Sequence, residues 1–243
     1  MQKTIEKRKI EKLERVPSGI EGLDELISGG FEKNSTVLVT GDAGTGKTTF
    51  ALQYIYSGAM NYKEPGILIS FEETRESLYK HYLEFGWNFE TLEKKNLFRT
   101  IEYKPHQITK LLDEGGGTIR DTIRDIGAKR LVVDSVTTYS MLFKDDYEKR
   151  IKTLEFLDML KKWQCTSLII SEMSPKAAES TAGGIGFLTD AVVSLYYEKK
   201  EDKSTRVHSL EILKMRATKH TNKLCALTFE KDGIVVYPEI EVF

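Results

Sequence analysis

Two spacings of apolar residues divide this chain. Short continuous apolar runs occur at residues 36–40, 67–71, 131–134 and 167–171, and runs of that length predict strands buried on both faces. Residues 97–101 are a further candidate strand. Between the runs the spacing becomes helical. Leu23, Leu26 and Ile27 share one helical face that Gly29 and Gly30 end, and residues 49–57 carry apolar positions compatible with a helix. Thr74 is placed to cap a helix whose Leu78, Tyr82 and Phe85 recur at i, i+4 and i+7 before Gly86 stops it. Gly115, Gly116 and Gly117 break the chain, after which Ile119, Ile123 and Ile126 form a stripe ending near Gly127. Residues 152–163 repeat Leu154, Leu157 and Leu160 at helical spacing. From Ala191 onward strand-like runs dominate, at 191–197, 208–214, 224–229 and 234–237, with Asp232-Gly233 marking a hairpin turn. Strands alternating with helices predict an α/β fold: a mostly parallel sheet flanked by helices, with antiparallel strands added at the C-terminal edge.

Composition narrows the setting. The chain has 243 residues, 40% of them hydrophobic, which suffices for a single large domain over residues 16–243 behind a charged N-terminal segment, residues 1–15. In that segment Ile5, Ile10 and Leu13 merely punctuate charges, so it reads as a solvated helix or a frayed terminus. The interleaved Glu6, Glu11 and Glu14 argue against a basic arm for nucleic acid. A net charge of −1, from 36 basic and 37 acidic residues, gives no general attraction to nucleic acid or to an anionic membrane. Cys165 and Cys225 stand outside any paired-cysteine or His/Cys cluster and read as core thiols of a reducing compartment. No apolar run approaches the roughly 18 residues of a membrane span. A cytoplasmic protein with no membrane partner is expected.

The candidate chemistry begins at Gly41-Asp42-Ala43-Gly44-Thr45-Gly46-Lys47-Thr48-Thr49, between the predicted strand at 36–40 and the helix that follows. The run satisfies the G-x-x-x-x-G-K-[ST] phosphate-binding pattern at every specified position. Glycines let backbone N–H groups close around phosphate oxygens, Lys47 reaches the β- and γ-phosphates, and the Thr48 hydroxyl is placed to ligate Mg²⁺. The helix adds its N-terminal partial charge. A nucleoside triphosphate is the implied ligand.

In an α/β sheet the ligand sits beyond the carboxyl ends of the strands, so polar residues there are candidates. Asp134 closes one apolar run, where a phosphate-loop enzyme places a carboxylate near the metal; a turn-capping aspartate is the alternative. Glu72 and Glu73 close the run at 67–71, where a glutamate would orient and deprotonate an attacking water. Strand alternation sends their side chains to opposite faces, and the sequence leaves open which is the base. Ser171 and Glu172 end the run at 167–171, as a γ-phosphate sensor or as a plain strand cap.

Taken together, residues 19–30, the loop Gly41 to Thr49, the pair Glu72-Glu73 and the run ending in Asp134 resemble the RecA-like ATPases, and among them the single-domain KaiC-like proteins of archaea and bacteria. The segment Leu213-Lys214-Met215-Arg216-Ala217-Thr218-Lys219-His220 is similar to that family's K-x-R segment followed by histidine. The resemblance implies a RecA-like fold and a slow Mg²⁺-dependent ATPase with ATP and Mg²⁺ as cofactors. It also implies a homo-oligomer, a hexameric ring in which Lys214 and Arg216 of one copy reach the γ-phosphate held by the next. Other protein partners are unknown. Two further readings accompany it: an ATP-dependent DNA-binding recombinase-like module, which the uncharged loop 180–186 does not favour, and a kinase that phosphorylates itself at Ser180, Thr181 or Thr137.

Overall fold

In the computed structural model, which describes residues 13–104, 107, 115–173, 185–199 and 205–242, the short apolar runs become the middle of one sheet. Its strands are β3 (Thr36–Thr40), β4 (Gly66–Ser70), β5 (Phe98–Glu102), β6 (Arg130–Asp134), β7 (Thr166–Ser171), β8 (Ala191–Lys199), β9 (Arg206–Met215), β10 (Cys225–Glu230) and β11 (Gly233–Glu241). A separate ribbon pairs β1 (Arg15–Val16) with β2 (Phe31–Glu32). The large sheet runs β11-β10-β9-β8-β3-β7-β6-β4-β5, parallel from β8 to β5 and antiparallel from β8 to β11. The RecA-like α/β architecture expected from the sequence is therefore present. The N-terminal segment up to residue 12 lies outside the described residues.

Alternate positions of the central strands face two different cores. Val37, Val39, Leu68, Val132, Leu168, Ile170 and Val193 pack on one side; Leu38, Ile67, Ile69, Leu131, Val133, Ile169 and Val192 pack on the other. A strand buried on both faces has no polar side, which is why these runs are continuous rather than alternating. The first core is covered by α1 (Leu23–Leu26), α2 (Lys47–Ser57), α3 (Arg75–Tyr82) and α4 (Phe89–Lys94). The second is covered by α5 (Gly117–Ile126), α6 (Val136–Ser140) and α7 (Asp146–Lys162). A short α8 (Ile185–Leu188) precedes β8. Among the described residues no helix is long and apolar enough to cross a membrane.

Local hydrogen bonds move three expected boundaries. The helix expected from residue 152 begins at Asp146, because the Asp145 side chain caps it by accepting from the N–H groups of Tyr147 (3.0 Å) and Glu148 (3.1 Å). The late hairpin turns through Lys231-Asp232, since Glu230 pairs with Gly233. Gly233 (φ 130°), where a Cβ would lie 2.5 Å from Gln53 Oε1, is the first residue of β11. Finally, β4 ends at Ser70, whose Oγ donates to the Glu73 carbonyl (2.7 Å) and accepts the Glu73 N–H (3.2 Å). That bend takes Glu72 and Glu73 off the strand.

Candidate active site

Burial of β3 on both faces fixes the strand that delivers the glycine-rich loop, and α2 starts directly after it. Gly46 precedes α2 in a left-handed conformation (φ 93°) and offers no side-chain cap. The first N–H groups of α2 therefore stay available to an anion. Lys47 is buried, and its Nζ donates to the Asp42 carbonyl at 2.9 Å. Desolvation pushes its ammonium below the ordinary lysine value, and the carboxylates of Glu172, Asp134, Asp42 and Glu72 oppose that shift.

Asp134 arrives from β6, two strands away from β3. The Thr48 hydroxyl donates to its Oδ2 at 2.8 Å. Burial pushes the Asp134 carboxyl up to about 6; the Thr48 hydrogen bond opposes this and the nearby Glu72 charge reinforces it. Among the described residues no group of three or more His, Cys, Asp or Glu could cage a metal by itself. One hydroxyl and one carboxylate nonetheless suit Mg²⁺, a hard cation that takes few protein oxygens and completes its shell with waters and phosphate oxygens. The residues present fit the metal that the sequence implies.

The two glutamates diverge in the bend after β4. Glu72 Oε1 accepts from Ser135 Oγ (2.9 Å) and from Thr138 Oγ1. Both donors stand at the start of α6, next to Asp134. Glu73 Oε1 instead meets Ser77 Oγ at 2.8 Å and His81 Nδ1 at 2.9 Å, on α3. Glu72 thus lies with Asp134 and Glu73 turns away. The other strand end is knitted in as well: Thr137 Oγ1 accepts the Glu172 N–H (2.8 Å), and its hydroxyl lies 3.4 Å from Ser171 Oγ. Ser135 and Thr138 were invisible as site residues in the sequence. Their only signal is the hydroxyl-rich run Ser135-Val136-Thr137-Thr138 behind Asp134.

Lys214 and Arg216 are not part of this cluster. Met215 pairs with Ala191 and Ala191 with Val37, so β9 ends level with the start of β3, about 13 Å along the strand from the phosphate loop at ~3.3 Å per residue. Lys214 Nζ donates to the carbonyls of Thr189 (2.6 Å) and Gly186 (2.9 Å). Arg216 bonds the Phe187 carbonyl (2.8 Å) and Asp190 Oδ1 (3.2 Å), with its side chain half exposed. Desolvation first, and then the neighbouring Arg216 charge, push the Lys214 ammonium down. Ser180 and Thr181, and residues 180–184 of the loop 180–186, lie outside the described residues.

The sequence model of the family described as "ATPase: KaiC" matches residues 16–241. A UPF0273 protein of Pyrococcus horikoshii is 32% identical over 238 residues, covering 93% of this chain and 94% of that one. The circadian clock oscillator protein KaiC of Prochlorococcus marinus subsp. pastoris is also 32% identical, over 232 residues, and this chain spans 45% of its length. Among solved structures, a KaiC-like protein of Pyrococcus horikoshii superposes with a TM-score of 0.83 at 35% identity, over 93% of this chain and all of that one.

Proposed function

This chain belongs to the KaiC family of ATPases, and we propose that it binds Mg-ATP and hydrolyses it slowly at sites shared between copies in a homo-oligomeric ring. The observation that carries the reading is the 2.8 Å contact between Thr48 and Asp134, which joins the phosphate loop to a buried carboxylate from a separate strand.

The N–H groups of the Gly41-to-Thr49 loop and of the first turn of α2 hold the phosphates, with Lys47 on the β- and γ-oxygens. Thr48 and Asp134 would hold the metal, and Mg²⁺ there would supply neutralisation of the phosphate charge. Glu72 orients the attacking water and accepts its proton at Oε1 or Oε2, while Ser135 and Thr138 fix its carboxylate by hydrogen bonds. Glu73 steadies the bend through Ser77 and His81. Lys214 and Arg216 complete the site of the neighbouring copy, where a guanidinium stabilises charge spreading over the transferring phosphoryl.

Calorimetric titration with Mg-ATP tests the core of this reading. Lys47→Ala should abolish measurable binding, and Asp134→Asn should bind ATP in chelator as the parent does while losing the gain that Mg²⁺ gives. A Lys47→Ala chain that binds Mg-ATP as tightly as the parent overturns the assignment.

A further inference from the structure

Two rings of the antiparallel extension of the sheet, His208 and Phe229, meet the phosphate loop from outside, and a third, Tyr197, lies behind His208. We propose that Tyr197, His208 and Phe229 form a buttress that keeps the tip of the loop in its anion-binding shape, with His208 as a positioning residue; this rests on the nucleotide reading above.

A loop built on Gly44 (φ 80°) and Gly46 (φ 93°) uses conformations that glycine enters and leaves freely. Turning its N–H groups inward toward an anion turns carbonyls outward, and those need partners of their own. His208 Nε2 lies 3.3 Å from the Gly44 carbonyl. An acceptor at that position requires the proton on Nε2. The imidazole is itself fixed: it lies flat on Tyr197 (centroids 4.0 Å, 13° between planes) and edge-to-face with Phe229 (4.9 Å, 75°). Phe229 closes on the next glycine, since a Cβ at Gly46 would lie 2.4 Å from its Cζ. Arg206 backs the stack, with its guanidinium 5.2 Å from the Tyr197 ring centre and Nη1 donating to the Tyr197 carbonyl at 2.9 Å.

Register explains the convergence. Tyr197 pairs with His208 across β8 and β9, and His208 pairs with Leu227 on β10, two residues before Phe229. All three side chains therefore share one face of the sheet. They stand on the far side of β3 from β6 and Asp134, so they act on the loop and not on metal or water. Tyr197 and Phe229 are 39% and 38% exposed, which core packing alone does not account for.

The test is calorimetry on the full chain with two probes, Mg-ATP and inorganic triphosphate, with thermal midpoints measured alongside. His208→Ala should weaken both probes by a similar factor, about five- to tenfold for one lost hydrogen bond and its packing. His208→Gln, which keeps an N–H at similar reach, should regain most of that loss, and Phe229→Leu should loosen both probes together. Three results overturn the buttress alone: unchanged affinity in His208→Ala; a glutamine variant no better than alanine with both equally destabilised; or loss of ATP affinity with triphosphate affinity intact, which would mark a contact with the base. A parent chain that binds neither probe overturns the nucleotide reading and this proposal together.

Discussion

Ser135 Oγ donates to Glu72 Oε1 at 2.9 Å, which ties the first glutamate of an adjacent pair to the residue that follows Asp134. Glu73, one position on, is bound to Ser77 and His81 instead. Two adjacent carboxylates between which the sequence does not choose thereby receive different surroundings.

Glu72→Gln keeps the shape and the hydrogen-bonding reach but cannot take a proton. Steady-state phosphate release should fall about 10²- to 10⁴-fold, the usual range for a lost general base, with ATP affinity retained. Glu73→Gln should cost less than about tenfold, because its hydrogen-bond partners Ser77 and His81 lie on α3. Equal losses in the two variants would sink the distinction.

The strands that carry this site were legible because they are buried on both faces and so appear as unbroken apolar runs. The phosphate loop was legible because its residue types are dictated by chemistry at fixed spacing. The bend after β4 was not: it depends on Ser70 bonding both backbone groups of Glu73, and a serine at the end of an apolar run carries no such signal. Nor does sequence order give the strand order β3-β7-β6 that brings Asp134 to Thr48. Long-range contacts between ordinary residues, such as His208 with Gly44, leave no local pattern at all.

Buried acids make the fold sensitive to alkali. Burial pushes the Cys165 thiol up to about 11 from an ordinary value near 9.0, and the Tyr82 phenol up to about 12 from 10.0. Both folded-state values are raised, so the stabilisation is complete below the unfolded values and is lost as pH climbs toward the folded ones. Between pH 9 and 11 the unfolded chain ionises Cys165 first, at up to about 1.4 kcal/mol per pH unit for one group. Urea midpoints measured from pH 7.5 to 10.5 should fall in the upper half of that range, and Cys165→Ala should flatten the fall. A flat profile in the parent would contradict the buried thiol.

Arg216 and Lys47 occupy opposite ends of the same sheet, so a site that uses both draws them from two copies of the chain. A head-to-tail interface of that kind closes into a ring when its rotation permits. Light scattering with Mg-ATP should then report an assembly near six subunits. Kinetics give the sharper result. Arg216→Ala retains a phosphate loop but delivers no guanidinium, and Lys47→Ala delivers the guanidinium but binds no phosphate; each alone should have little activity. Mixed in equal amounts and allowed to exchange, about one interface in four joins an intact loop to an intact arginine under random heterologous assembly. Activity should therefore rise toward a quarter of the parent's. Mixtures no more active than the sum of their parts, or a monomer hydrolysing ATP at the parental rate, would place the whole reaction within one chain and leave Arg216 with Asp190 and Phe187 as its side-chain partners among the described residues.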